Sequence, residues 1–309
     1  MNAILPNKVM SQLQSIQDIL DWTVSVFSKN EIFYGHGTDN PWDEAIRLVL
    51  PTLWLPLNLP RNLYLAKLTH LQRQRIINRV MRRVKERIPV AYLTNKAWFC
   101  NYEFYVDERV LIPRSPISEL IEKKIILLLL PKKPKYILDI CTGSGCIAIA
   151  CSYFFPDAII HAADISEDAL TVAEHNIAFH HLNNFITPLC SDLFNDISKK
   201  YDLIISNPPY VGETKINYLP PEYGFEPQLG LMAGMEGLEI IHRILLQASD
   251  YLNDNGILIC EVGYHQQTLI EQYPDIPFIW LEFERGGYGV FMLKKKELMA
   301  SKKYLNQYV

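Results

Sequence analysis

Tyr136-Ile137-Leu138-Asp139-Ile140-Cys141-Thr142-Gly143-Ser144-Gly145 reads as a short apolar strand closing on an acid, followed by a glycine turn. A helix should follow through Ile147, Ala148, Ala150 and Cys151. The same unit then recurs. Ala158–Ala163 is a second apolar run ending in Asp164, with Ser166 placed to cap the next helix. Ile186–Cys190 leads to Ser191-Asp192, and Leu203-Ile204-Ile205 leads to Ser206-Asn207. Glu236–Leu252 is predicted helical and Ile257–Val262 a fifth strand. Phe278–Phe283 and Val290–Leu293 flank Arg285-Gly286-Gly287 as a terminal hairpin. Strands alternating with helices imply an α/β fold with a mostly parallel, doubly wound sheet.

Upstream the period changes. Leu13, Ile16, Leu20, Val24 and Phe27 recur at helical spacing, and Asn40-Pro41-Trp42-Asp43-Glu44 has the cap, proline and acids of a helix start. Ile76, Val80, Val84 and Ile88 line a third helix that Pro89 ends. Trp98–Val106 alternates with period two about a turn at Asn101, which predicts a β-hairpin. The expected organisation is a helical domain over 1–95, a β-hairpin linker over 96–115 and an α/β domain over 116–309.

The chain has 309 residues, 49% hydrophobic and 21% charged, enough to bury a core and too ordered in composition for a low-complexity reading. The longest apolar run, Ile125–Leu130, is bracketed by lysines and too short to span a bilayer. Met1–Pro6 lacks the features of a signal peptide. Six cysteines without a Cys-x-x-Cys pair suggest a reducing, cytoplasmic setting. The net charge of −4 is uneven: nine basic side chains stand between Arg61 and Ile88 against one acid, Glu86. That stripe reads equally well as a nucleic-acid contact and as a solvated helix face. The eight histidines have no partners at ligand spacing, so no metal is assigned.

In doubly wound sheets ligands bind beyond the carboxyl ends of the strands. Asp139, Gly143, Gly145, Asp164, Asp192 and Asn207 are therefore the candidates. Gly143-x-Gly145-x-x-Ala148 with Asp164 also satisfies a relaxed dinucleotide fingerprint, so a nicotinamide cofactor stays open on these residues alone. Asn207-Pro208-Pro209-Tyr210 is sharper. Two prolines without N–H groups stiffen a turn that offers carbonyls, the Asn207 oxygen and a flat Tyr210 wall, which suits a planar amino group.

With these motifs in hand, the chain resembles the class I S-adenosylmethionine-dependent methyltransferases of the Asn-Pro-Pro-Tyr type. Within them it is similar over its whole length to the protein-glutamine methyltransferases. Tyr34–Glu44, Ala91–Phe99 and Cys141-Thr142-Gly143-Ser144-Gly145-Cys146-Ile147-Ala148 resemble the branch acting on the third protein of the large ribosomal subunit. Pro113-Arg114 and Glu226-Pro227-x-x-Gly230-Leu231 also fit the group. The branch acting on translation release factors is the alternative, although it usually carries Trp where Leu193 follows Asp192. An adenine-N6 nucleic-acid methyltransferase is the remoter one, and a non-catalytic ribosome-assembly factor that retains the fold is a further possibility.

The resemblance implies a Rossmann-like seven-stranded sheet and a role in ribosome biogenesis. It implies S-adenosylmethionine held by Asp139, Cys141, Thr142, Gly143, Ser144, Gly145, Asp164, Ile165, Asp192, Leu193 and Asn207. Asn207, Pro208 and Tyr210 would act on a glutamine amide bound against Asn207, Pro208, Pro209 and Tyr210. The Arg73–Arg87 helix would be free to touch ribosomal RNA.

Overall fold

The computed structural model describes residues 12–306; the reading of Met1–Pro6 lies outside them. The chain divides into two compact units. One comprises the described chain up to Ala97 with Val106–Glu108 and Pro220–Phe225; the other takes Trp98–Tyr105, Arg109–Leu219 and the chain from Glu226 onward.

In the first unit, helix Ile16–Lys29 starts on a capping box in which Ser15 and Asp18 satisfy each other's backbone N–H groups. Helix Pro41–Thr52 starts on Asn40, whose side chain accepts from the Asp43 N–H at 2.9 Å. Helix His70–Lys85 is capped by Thr69 and Gln72. It stops before the predicted end, and Arg87 turns the chain at φ 65°. Ile19, Leu20, Phe27, Leu48, Ile76 and Val80 are fully buried between these helices. Each such side chain contributes roughly 1.5–3 kcal/mol of burial.

The second unit begins at Trp98 inside strand β1 (Ala97–Phe99), which with β2 (Tyr102–Phe104) forms a two-stranded sheet around left-handed Cys100 and Asn101. The main sheet contains β3 (Tyr136–Ile140), β4 (Ile159–Asp164), β5 (Ile186–Cys190), β6 (Tyr201–Ser206), β7 (Leu252–Glu261), β8 (Ile279–Trp280) and β9 (Val290–Lys294). Their order is β5-β4-β3-β6-β7-β9-β8. The first five run parallel; β9 pairs antiparallel with β7, and β8 antiparallel with β9. Apolar clusters cover both faces, as a parallel sheet requires.

The final hairpin is not the end of the fold. Helix Lys295–Leu305 follows it and buries Leu298, Ser301 and Leu305. The run of lysines around it masked that spacing in the sequence. No helix among the described residues is long and apolar enough to cross a membrane.

Candidate active site

The strand order reverses between β3 and β6, so the loops leaving their carboxyl ends open a crevice. Ser206 ties the two strand ends by donating to the Ile140 carbonyl at 2.8 Å. The loop after β3 turns on three left-handed residues, Cys141, Gly143 and Gly145. At Gly143 a Cβ would meet nothing within 4 Å. The glycine is there for its φ of +55° and for its N–H, which donates to Asp164 Oδ2 at 2.9 Å. Asp164 Oδ1 in turn accepts from the Ser166 N–H at 3.0 Å.

Asp139 is fully buried behind this loop. Its Oδ2 accepts from Thr142 Oγ1 at 2.6 Å and from the Ala148 N–H at 3.1 Å. Its Oδ1 has no partner among the described residues. Burial pushes the carboxyl up to about 7 against the pull of those two hydrogen bonds. Buried Asn176 anchors the loop from outside, donating to the carbonyls of Ser144 and Tyr105 and accepting from the Tyr105 N–H.

The loop after β6 is fixed just as tightly. The Tyr210 hydroxyl donates to Glu261 Oε1 at 3.0 Å, and its carbonyl takes the Tyr264 hydroxyl at 3.2 Å and meets His265 Nε2 at 2.8 Å. The Tyr210 ring lies against Gly263, where a Cβ would come within 2.6 Å of Cε2. Glu261 also accepts from Ser115 Oγ at 2.5 Å. With the Asn207 carboxamide turned so that its nitrogen faces Glu261, that nitrogen lies 3.3 Å from both carboxylate oxygens. The opposite orientation would set acceptor against acceptor.

One cavity joins the two loops. Cys141, Thr142, Gly143, Ser144, Asp164, Ile165, Asn207 and Pro209 line it. Asp139 sits behind the wall, Gly145 packs on Ala173, and Pro208 and Leu193 are buried away from the opening. Tyr210 is half-buried and Asp192 is ion-paired with Arg243 at 2.7 Å; neither lines the cavity.

The opposite wall is formed by Arg109–Ser115 with Pro227, Leu229 and Gly230; the sequence offered Pro113-Arg114 and Glu226-Pro227-x-x-Gly230-Leu231 as family marks without placing them at the site. Arg114 holds that wall with a two-pronged bond to Glu226, at 2.5 and 2.8 Å, and Glu226 also accepts from the Ile112 N–H. Sequence reasoning missed Glu261, although it is one more acid at a strand's carboxyl end.

A family model described as the methyltransferase small domain matches residues 122–219. Over 302 residues, 97% of this chain, the sequence is 43% identical to a ribosomal protein uL3 glutamine methyltransferase of Francisella tularensis and covers 96% of it. A protein of the same description from Neisseria meningitidis is 42% identical over 96% of this chain and 98% of its own length. The chain belongs to the uL3 glutamine methyltransferase family. A solved methyltransferase of Pyrococcus furiosus aligns at 18% identity with a TM-score of 0.46, covering 74% of this chain and 99% of its own.

As a member of that family the enzyme uses S-adenosylmethionine, and the residues present fit it. Gly143 lets the backbone approach a ligand without a side chain in the way. Asp164 places a carboxylate in the cavity beside Ile165, whose side chain is left exposed as an apolar wall. The buried, half-satisfied charge of Asp139 lies beneath and favours a cation above it.

Proposed function

We propose that this enzyme methylates the side-chain amide nitrogen of a glutamine in ribosomal protein uL3. The observation that carries the reading is the Asn207 carboxamide at the cavity wall, its nitrogen matched to Glu261 and its oxygen left for a donor.

An amide nitrogen is a weak nucleophile because its lone pair is delocalised into the carbonyl. Bound S-adenosylmethionine supplies an electrophilic methyl group. The residues of the chain supply the alignment. Asn207 Oδ1 and the Pro208 carbonyl accept the two amide hydrogens, turn the lone pair toward the cofactor side and stabilise the positive charge that develops. Tyr210 and Pro209 wall the amide plane and exclude water. No base is needed beforehand, since the methylated nitrogen is acidic enough to lose its proton to water. Alignment of this kind corresponds to effective molarities up to about 10⁵–10⁸ M.

For the cofactor, Asp164 takes the ribose hydroxyls. The loop Cys141-Thr142-Gly143-Ser144-Gly145 passes under the amino-acid part, and Asp139 attracts its ammonium through the field rather than by contact. Ile165 gives the adenine apolar surface, while Leu193, buried, and Asp192, paired with Arg243, stand back from the cavity.

The helical unit serves substrate recognition in this reading, in the cytoplasm, where six free thiols are at home. A contact with ribosomal RNA would fall to exposed Arg61, Lys67, Arg75 and Lys85. Arg73, Arg79, Arg82, Arg83 and Arg87 already bond within the unit.

Asn207→Ala should lower methyl transfer by roughly 10²-fold or more while cofactor binding stays measurable. Cofactor binding lost with turnover intact at saturation would overturn the assignment. Mass spectrometry of uL3 from cells lacking the chain should show one glutamine peptide lighter by a methylene. Labelled methyl groups appearing in nucleic acid instead of ribosomal protein would favour an adenine-N6 activity.

A further inference from the structure

Glu261 ends β7 almost wholly buried, 5% exposed, and has no assigned part in methyl transfer. Its two oxygens meet three donor groups from distant parts of the chain. They are the Ser115 hydroxyl at 2.5 Å, the Tyr210 hydroxyl at 3.0 Å and, in the orientation of the Asn207 carboxamide that avoids setting acceptor against acceptor, its amide nitrogen at 3.3 Å. Asn and Gln amides have two chemically opposite edges of nearly the same shape, so packing alone does not decide which way one faces. A carboxylate does, because it accepts and never donates.

We propose that Glu261 is the positioning residue that sets the direction of the Asn207 carboxamide, pointing its oxygen to the incoming amide. The inference rests on the reading of Asn207 given above. A reversed Asn207 would aim an NH₂ group at the substrate's own NH₂, so the direction is worth the whole acceptor. The shared carboxylate also couples Asn207 to Tyr210: the hydroxyl that steadies the aromatic wall and the amide that grips the substrate converge on one group. Ser115 brings the opposite wall of the cavity to the same point.

Burial raises Glu261 above the ordinary glutamate range, against the Ser115 and Tyr210 hydrogen bonds and the positive charge of Arg114. Besides these, the titratable neighbour is Cys260, whose thiol Glu261 helps to keep protonated. Protonated Glu261 acquires a donor and loses its directional hold. Turnover should therefore fall on the acid side as pH drops through the raised value.

Glu261→Gln keeps the shape and removes the acceptor-only character, because the hydroxyls of Ser115 and Tyr210 can reverse to suit either orientation of the new amide. At saturating cofactor, kcat should fall by roughly 10²-fold, the scale of one lost preorganised hydrogen bond. The dissociation constant for S-adenosylhomocysteine should stay within about twofold, and the acid limb of kcat should vanish. If Glu261→Gln does not fold, Ser115→Ala tests the same point: it removes a hydrogen bond that holds the Glu261 carboxyl down and should move the acid limb of kcat to higher pH, and a limb left in place refutes the proposal. Glu261→Gln with full kcat beside an inactive Asn207→Ala overturns this inference alone. An Asn207→Ala enzyme with full kcat overturns the reading beneath it as well. A Glu261→Gln defect confined to melting temperature or cofactor affinity, with the acid limb intact, assigns the residue to structure and refutes the proposal.

Discussion

Both units pair buried carboxylates with cations, as Arg114 does Glu226 in the catalytic unit, but two carboxylates beside the cavity, Asp139 and Glu261, are treated in the opposite way. In the helical unit Arg83, 1% exposed, donates to Glu44 at 2.8 Å, to Glu222 at 3.0 Å and to the Phe33 carbonyl at 2.7 Å. Arg87 adds a second cation on Glu222 at 3.0 Å. Burial pulls Glu222 upward, but the Arg83 hydrogen bond and the Phe33 N–H outweigh it and leave the group below its ordinary value. In the catalytic unit Asp139 and Glu261 are met by hydroxyls and N–H groups, and burial wins. A neutralised carboxylate is a structural strut. A carboxylate left partly unsatisfied at a cavity is poised toward a ligand.

The contrast breaks first under charge removal. Arg83→Met leaves Glu44 and Glu222 buried without their shared cation and should cost about 3–5 kcal/mol in chemical denaturation. Glu261→Gln removes a charge that burial already disfavours and should cost within about 1 kcal/mol at neutral pH, while depressing turnover. Equal losses of stability in the two variants would erase the distinction.

Acid titration should separate the two units next. Asp139 binds its proton more tightly folded than unfolded, so its charged form penalises the fold above about 7. Stability of the cofactor-free enzyme should therefore rise as pH falls from about 7 to about 4, by up to about 1.4 kcal/mol per unit. Asp139→Asn should flatten that slope. Glu222 has the other sign: its stabilisation is present above the unfolded value and is lost as pH falls through the depressed one. Hydrogen exchange below about 4 should then show the helical unit opening around Arg83. A slope that survives Asp139→Asn would assign the upper window to another group.

A smaller effect tests the wall. Gly263 combines φ +51° with a Cβ position 2.6 Å from the Tyr210 ring. Gly263→Ala should cost about 1–2 kcal/mol from the left-handed backbone alone, and should lower kcat by displacing Tyr210. Turnover unchanged at the expected stability loss would mean that the ring position does not matter to catalysis.

How far the sequence carried follows from the same geometry. The β3 to β7 alternation was legible because short apolar runs closing on polar residues are local signals, and Asn207-Pro208-Pro209-Tyr210 is contiguous. Glu261 was not, since its role exists only when residues 115, 207, 210 and 261 converge, and the Ser115–Glu261 bond spans 146 positions. The two motifs of the opposite wall were readable as family marks but not as one wall, because the Arg114–Glu226 fork that joins them spans 112 positions. Helix Lys295–Leu305 was lost among its lysines, with three buried positions too few to set a period. The basic stripe misled differently. A count of arginines cannot tell that Arg83 is a buried strut while Arg75, eight positions earlier on the same helix, is exposed.

That last pair gives the smallest effect and divides the stripe. Arg75→Ala and Lys85→Ala remove exposed cations and should each change unfolding stability by no more than about 0.5 kcal/mol, against the loss expected at Arg83. If these side chains face only water, the paired variant should methylate free uL3 and uL3 within a ribosomal particle at unchanged rates. If they grip RNA, the rate on the particle alone should fall, and the salt dependence of binding to it should shrink by about one to two counterions, since each phosphate contact contributes close to one. Unequal loss between the two substrates would make the exposed half of the helix a functional surface beside its buried, purely structural half.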